Sequence, residues 1–497
     1  MQTEAKELRI DDVSLWEKEN FLFEKLFGFK IVFPKESEIK RIVKENEFRT
    51  IYELKNNELA YSLNFFSPLS IPETIFLYSL LEKIQEEKSS AYDFQKEVEL
   101  FSEQNSLSFE LWQKENIANY LSLLTSSQGI LNHLLSDTEL EEISLIGLHK
   151  KLRIYHNIFG WVKTNILFTN PVKVIELVNS LVLHENKSIS FSKPVLNSIL
   201  KDGSRINAMA NPTSNTAVFT IRKFNFSRMT PFSLIKSSAF SSELLAFLSL
   251  AIQSNSSIIT SGNTGSGKTT ALNSLLSFLG KEERIIVIEE TPELLIPQNH
   301  FIKLKSVQEL GIKLNELITE SLRARPDVLI LGEIRNADDI QSFINALLSG
   351  QAKSCLTTMH SFSANDCIQR LRHLGAKESE LLSIDLILIL KRISRIKKAS
   401  GKRFEERKAL ELAEVIPDKK GNISLNPLYE FNFSSNSFKK KNESIKVKEK
   451  ITQVFSFSKK EFTKELCSRT KFFEEHKNDN LSLNEFSELL KKEGVAW

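Results

Sequence analysis

An α/β architecture, with a mostly parallel sheet and a phosphate-binding loop, is what the middle of this 497-residue chain predicts. Three observations carry that expectation. Apolar, β-branched runs alternate with helical patterns from Asn225 to about Ser400, as in strands joined by crossover helices. One run, Ser257 to Thr260, breaks into Gly262-Asn263-Thr264-Gly265-Ser266-Gly267-Lys268-Thr269-Thr270, a complete G-x-x-x-x-G-K-[ST] motif in a strand-to-helix setting. Polar groups then close the later runs: Glu289 and Glu290 after Arg284–Ile288, Glu333 after Val328–Leu331, His360 after Cys355–Thr358. Ligands bind at the carboxyl ends of parallel strands, so these four stretches are expected in one crevice.

The motif residues have distinct tasks. The glycines let backbone N–H groups wrap a polyphosphate, and the helix N-terminus adds its positive end. Lys268 bridges the outer phosphates while the Thr269 hydroxyl reaches Mg²⁺, so ATP with Mg²⁺ is the expected ligand. Glu333 stands as the acid that holds Mg²⁺ through water, Glu289 or Glu290 can orient or deprotonate the attacking water, and His360 can sense the γ-phosphate. Singly, each carboxylate reads equally well as an exposed cap, and His360 as a hydrogen-bonded core histidine. Their shared place at strand ends favours a site.

The whole chain sets the bounds. Its length suits about three domains. A composition 41% hydrophobic and 26% charged is that of a globular protein and excludes a disordered class. A formal charge of +3 gives no strong nucleic-acid signal, and the basic stretches Lys391–Arg403 and Lys439–Lys450 read as solvated faces. Cys355, Cys367 and Cys467 form no C-x-x-C, which suits a reducing compartment and offers no structural zinc site. The apolar runs Leu244–Ile252 and Leu381–Leu390 are too short to span a bilayer, and no N-terminal signal is visible. The expectation is a cytoplasmic protein, peripheral to the membrane through partners.

In chain order, residues 1–125 form an accessory segment with strands at Phe29–Phe33 and Thr50–Leu54 and a capping box, Ser70 with Glu73, that starts a helix. Residues 126–224 read as a small α+β domain: strands Glu142–Ile146, Leu152–His156 and Val218–Arg222, a helix over Val172–Leu183, and a tight turn at Asp202–Arg205. Residues 225–405 hold the α/β block, with a helix over Thr269–Leu279 closed by Gly280, another over Leu314–Leu322 stopped by Pro326, and a third over Ile340–Leu348 closed by Gly350. Residues 406–497 open on a hairpin at Val415–Gly421 and end in helices started by Ser458 with Glu461 and Ser482 with Glu485.

Taken together, Gly262–Thr270, Ile288–Leu294, Leu322-Arg-Ala-Arg-Pro-Asp327, Leu331-Gly-Glu-Ile-Arg335 and Leu356-Thr-Thr-Met-His360 resemble the ordered motifs of the type II/type IV secretion-system ATPases. The Leu322–Asp327 stretch, with the block from Leu145 through Tyr155 and Trp161 to Asp202–Arg205 and Phe219–Lys223, resembles the archaeal pilus and archaellum branch. The resemblance implies a RecA-like P-loop NTPase domain behind a PAS-like domain, assembled as a homo-hexamer that works on a polytopic membrane platform protein. It implies Lys268 and Thr269 as the Walker A pair, Glu289 as the base, Glu333 as the Walker B acid and His360 as the His-box histidine. Arg205 and Arg222, with Arg323 or Arg325, match arginines that neutralise phosphate charge. Glu290 stands where the family usually has Asp, and Gln351 where many relatives have a first His-box histidine. The expected activity is ATP hydrolysis driving a pilus, archaellum or secretion filament. The alternatives are a non-hydrolysing nucleotide switch of such a machine and a RecA-like nucleic-acid translocase.

Overall fold

Alternating apolar residues between Phe29 and Arg222 build ten strands that share one sheet. They belong to a computed structural model that describes residues 24–32, 34–46, 48–64, 69–87, 93–224, 229–307, 310–396 and 403–494. Its chain divides into two units, Met1–Phe226 and Ser227–Trp497.

In the first unit the strands are β1 (Phe29–Ile31), β2 (Ile39–Glu45), β3 (Arg49–Leu54), β4 (Leu59–Leu63), β5 (Leu140–Leu145), β6 (Lys151–His156), β7 (Gly160–Phe168), β8 (Val195–Ile199), β9 (Arg205–Met209) and β10 (Val218–Arg222). The order is β2-β3-β4-β7-β6-β5-β10-β9-β8, with β1 also on β7. The expected end of β1 at Phe33 lies outside the described residues. Position 125 is no boundary here, because β4 pairs directly with β7 and both sides feed one core. Ile51, Tyr61 and Leu63 leave almost no surface exposed, and that burial needs the later strands to cover them. Charge ties the same parts together: the Arg49 guanidinium, 2% exposed, pairs with Asp137 at 2.6 Å and also with Glu139. The Tyr61 hydroxyl donates to Asp137 at 2.9 Å.

The second unit carries β11 (Ile258–Gly262), β12 (Ile285–Glu289), β13 (Phe301–Lys305), β14 (Val328–Leu331), β15 (Ser354–Met359), β16 (Leu386–Ile396), β17 (Arg403–Pro417), β18 (Ile423–Asn432) and β19 (Ser437–Lys440). They run β13-β12-β14-β15-β11-β16-β17-β18-β19. The first six are parallel and the last three antiparallel. Strands β11, β12, β14 and β15 are buried along their whole length, as the apolar runs require of a sheet covered on both faces. The loop-bearing strand β11 lies between β15 and β16, and β14 with its acid lies one strand further out, a RecA-like order.

Three differences from the sequence reading have physical causes. Strands β13 and β16 join the parallel sheet although β13 alternates exposed and half-buried residues and the run at Leu381–Leu390 read only as apolar. The boundary at 405 falls inside an antiparallel pairing of β16 with β17, so residues 406–440 extend the same sheet. The helix after the loop spans Lys268–Leu276 and stops before Gly280, whose N–H donates to the Glu283 carboxylate at 2.8 Å. Gly350, at φ +64°, does close the helix Ala337–Leu348. Capping boxes form at Ser70, Ser458 and Ser482, and Asp418–Gly421 turns β17 into β18.

The C-terminal helices Lys446–Val454, Lys459–Glu475 and Leu483–Lys492 pack on the sheet beside the helix Ser242–Gln253. Phe232, Phe278, Phe473 and Phe486 stack edge to face in that layer. Two buried carboxylates anchor it. Asp385 accepts the Ser257 N–H at 2.8 Å and the ammonium groups of Lys446 and Lys450 at 2.9 and 2.6 Å. Glu414 accepts from Ser444, Ile445 and Val447.

Candidate active site

Two glycines show why the loop has its sequence. A Cβ on Gly262 would stand 2.1 Å from the Leu390 carbonyl oxygen, so β11 can run beside β16 only if that position is bare. Gly267 adopts φ +90° as the residue that opens the helix Lys268–Leu276, a left-handed conformation that costs glycine little. Between them Ser266 is buried, and Asn263 and Thr264 lie on the first limb of the loop.

Lys268 reaches across this loop. Its ammonium donates to the Gly262 carbonyl at 3.2 Å and stands 3.3 Å from His360 Nδ1. His360 Nε2 lies 2.9 Å from Glu333 Oε1, and the Arg335 guanidinium bonds Glu333 Oε2 at 2.9 Å through Nε while also pairing with Glu290. Burial first, then the Lys268 charge, holds the His360 imidazole below its ordinary range, with Glu333 opposing. A neutral ring that accepts a hydrogen bond from the Lys268 ammonium at Nδ1 and donates one to Glu333 from Nε2 satisfies both contacts. Three of the sequence-selected groups, Lys268, Glu333 and His360, are therefore joined in one network.

Glu289 is placed differently. It is 3% exposed, its Oε1 accepts the backbone N–H groups of Glu293 and Leu294 at 2.8 and 3.0 Å, and its side chain crosses Gly332. Burial pushes its carboxyl up to about 7 in spite of those two donors. Thr269 donates to Glu293 Oε2 at 3.0 Å, so a hydroxyl and a carboxylate meet at the start of the helix with Thr270 next in line. This oxygen donor set fits Mg²⁺, a hard cation that keeps several waters and takes few protein ligands.

The sequence reading missed several neighbours. Glu293 and Arg335 sit inside motifs it quoted; Arg335 follows Glu333 closely enough in the sequence to have been found, whereas the meeting of Glu293 with Thr269 depends on the fold. Arg407 on β17 donates through Nε to the Gly265 carbonyl at 3.0 Å, and the Arg392 N–H of β16 bonds the Asn263 side chain at 3.1 Å. No local pattern announces a contact across more than 120 residues. Arg205 and Arg222 are register partners on β9 and β10 of the first unit. Arg323 folds onto Glu320 at 2.9 Å, and Arg325 is exposed at φ +53° before Pro326.

Comparison with known proteins follows the same residues. A family model described as "Type II/IV secretion system protein" matches residues 192–460, just over half of the chain. "Uncharacterized protein MJ0781" of Methanocaldococcus jannaschii is 36% identical over 238 residues, 45% of this chain and 33% of that protein. The chain thus spans a third of that relative's length. "Type IV secretion system protein VirB11" of Bartonella henselae is 30% identical over 264 residues, 44% of this chain and 72% of that protein. Among solved structures, the Yersinia pseudotuberculosis ATPase DotB aligns over 72% of this chain and 88% of its own, with 17% identity and a TM-score of 0.42. With the family match running from before β8 through β11 to β19 and into the C-terminal helices, the chain belongs to the type II/IV secretion system protein family.

Proposed function

We propose that this protein hydrolyses ATP as the homo-hexameric motor of a secretion-like machine, driving a pilus, archaellum or secretion filament through a polytopic membrane platform protein. The observation that carries the reading is the continuous contact from Lys268 through His360 to Glu333, set across a P-loop that also presents Thr269. A lysine held by the loop's own carbonyls is available to exchange them for phosphate oxygens. Membership of the secretion family and the likeness to VirB11 support the setting. No described helix is long and apolar enough to cross a membrane, which suits a cytoplasmic motor that borrows its anchor.

In the proposed reaction the oxygen of a water bonds to the γ-phosphorus as the bond to the β,γ-bridging oxygen breaks. The electron pair leaves with ADP, and the water's proton passes to Glu289, whose Oε1 is already held by two backbone N–H groups. Thr269, Glu293 and Glu333 would hold Mg²⁺, which when bound neutralises the phosphate charge. His360 senses the outer phosphate by giving up Lys268. Arg205 and Arg222, with Arg323 or Arg325, supply charge from elsewhere in the ring.

The test is Mg²⁺-dependent phosphate release followed against protein concentration. Lys268→Ala should abolish nucleotide binding, while Glu333→Gln should bind ATP and turn over about a hundredfold or more slowly. A rate per chain that rises with concentration marks sites shared between subunits. Nucleotide binding without turnover in the parent would make the protein a switch, and stimulation by single-stranded DNA a translocase.

A further inference from the structure

Beside the loop, on its first limb, the second unit has a cavity of about 520 Å³. Gly262, Asn263 and Thr264 form one wall, and the helix Ala364–His373 forms the other with Asp366, Gln369, Arg370 and His373. His360 stands between them, where it also touches Lys268 and Glu333. The glycines and helix start that would cradle the inner phosphates, Gly265 to Thr270, are absent from the lining. The cavity therefore adjoins the loop at Gly262 to Thr264, outside the stretch that would cradle the inner phosphates.

Its charge selects an anion. Arg370 spends one N–H on the His360 carbonyl at 2.9 Å, and no other hydrogen bond from its guanidinium is seen among the described residues. His373, exposed at the end of the same helix, adds a second cation-capable group. The single carboxylate of the lining, Asp366, is turned onto the Phe362 N–H at 2.7 Å, and its own N–H is taken by the Ser363 cap. A fork of guanidinium donors opposite backbone of the loop is suited to a tetrahedral oxyanion.

We propose that this cavity receives inorganic phosphate after cleavage, with Arg370 as its principal ligand and His373 as a second. The inference rests on the ATPase reading, and it adds a direction to it: ADP stays on Gly265–Thr270 while phosphate moves off along the first limb toward the helix Ala364–His373. Arg370 also holds the carbonyl of His360, so phosphate in the cavity competes for the group that positions the histidine.

Equilibrium dialysis of radiolabelled phosphate against the full chain saturated with Mg-ADP tests this without requiring turnover. The parent should bind one phosphate per chain at millimolar concentration or below. Arg370→Gln and, separately, His373→Asn should each weaken that binding fivefold or more, with ADP affinity changed less than twofold. Gln369→Glu, an exposed change that adds negative charge to the lining, should weaken it likewise and serves if Arg370→Gln does not fold. Phosphate binding of equal strength in all variants would place the ion in the loop alone and overturn the proposal, as would no phosphate binding to the ADP-loaded parent. Failure of ADP itself to bind would instead remove the nucleotide reading on which the proposal stands.

Discussion

Glu289 shows how one buried side chain sets a pH dependence. Its carboxyl, lifted by burial from the ordinary 4.5 to about 7, is protonated in the folded chain over a range where the unfolded chain has released its proton. The folded state is thus favoured most below the unfolded value, and that advantage is lost as pH rises from there through about 7. In the proposed reaction activity runs the other way, because only the ionised form can accept a proton from water. The rate of ATP hydrolysis should therefore climb through a limb centred near pH 7, and a residual rate in Glu289→Gln should lack that limb; a limb that survives the substitution would assign it to another group. The position of this residue at a strand end was legible in the sequence. Its two backbone donors, Glu293 and Leu294, were not, since they depend on how the chain folds back after β12.

At the scale of elements, the phosphate loop depends on a strand far along the chain. Gly262→Ala would force a methyl group against the Leu390 carbonyl, and overpacking of that kind costs about 1–3 kcal/mol or more where backbone cannot move. A fall in the urea midpoint of the second unit, with loss of nucleotide binding, is the expected result; a variant as stable as the parent would mean that β16 yields. Elements with strong local signals were read correctly, among them the loop itself, the helix Leu314–Leu322 and the three capping boxes. Strand β13 lacks such a signal because it lies at the sheet edge with alternate residues exposed. Strand β17 likewise carries charge at Glu405, Arg407 and Glu411, and its place is decided by pairing with β16.

For the molecule as a whole, the ends of each unit are bound to its middle. Strands β1 to β4 complete a sheet whose other strands come after residue 139, and residues 446–490 supply Val447, Ile451, Phe462, Phe473 and Phe486 to the core beneath the loop. A chain cut before Lys446 should leave that apolar face bare, so its second unit should appear as aggregate or as a species without a cooperative thermal transition. A soluble, nucleotide-binding fragment would show the helices to be dispensable. Composition and local pattern marked these segments as appendages because the pairings that integrate them span hundreds of residues. The link from Lys450 through Asp385 to Ser257 carries this dependence into time. On the ribosome, the strand that leads into the phosphate loop emerges nearly two hundred residues before the lysines that help fix its starting point. A nascent chain therefore cannot fix the start of the strand that leads into the loop until those lysines have been made.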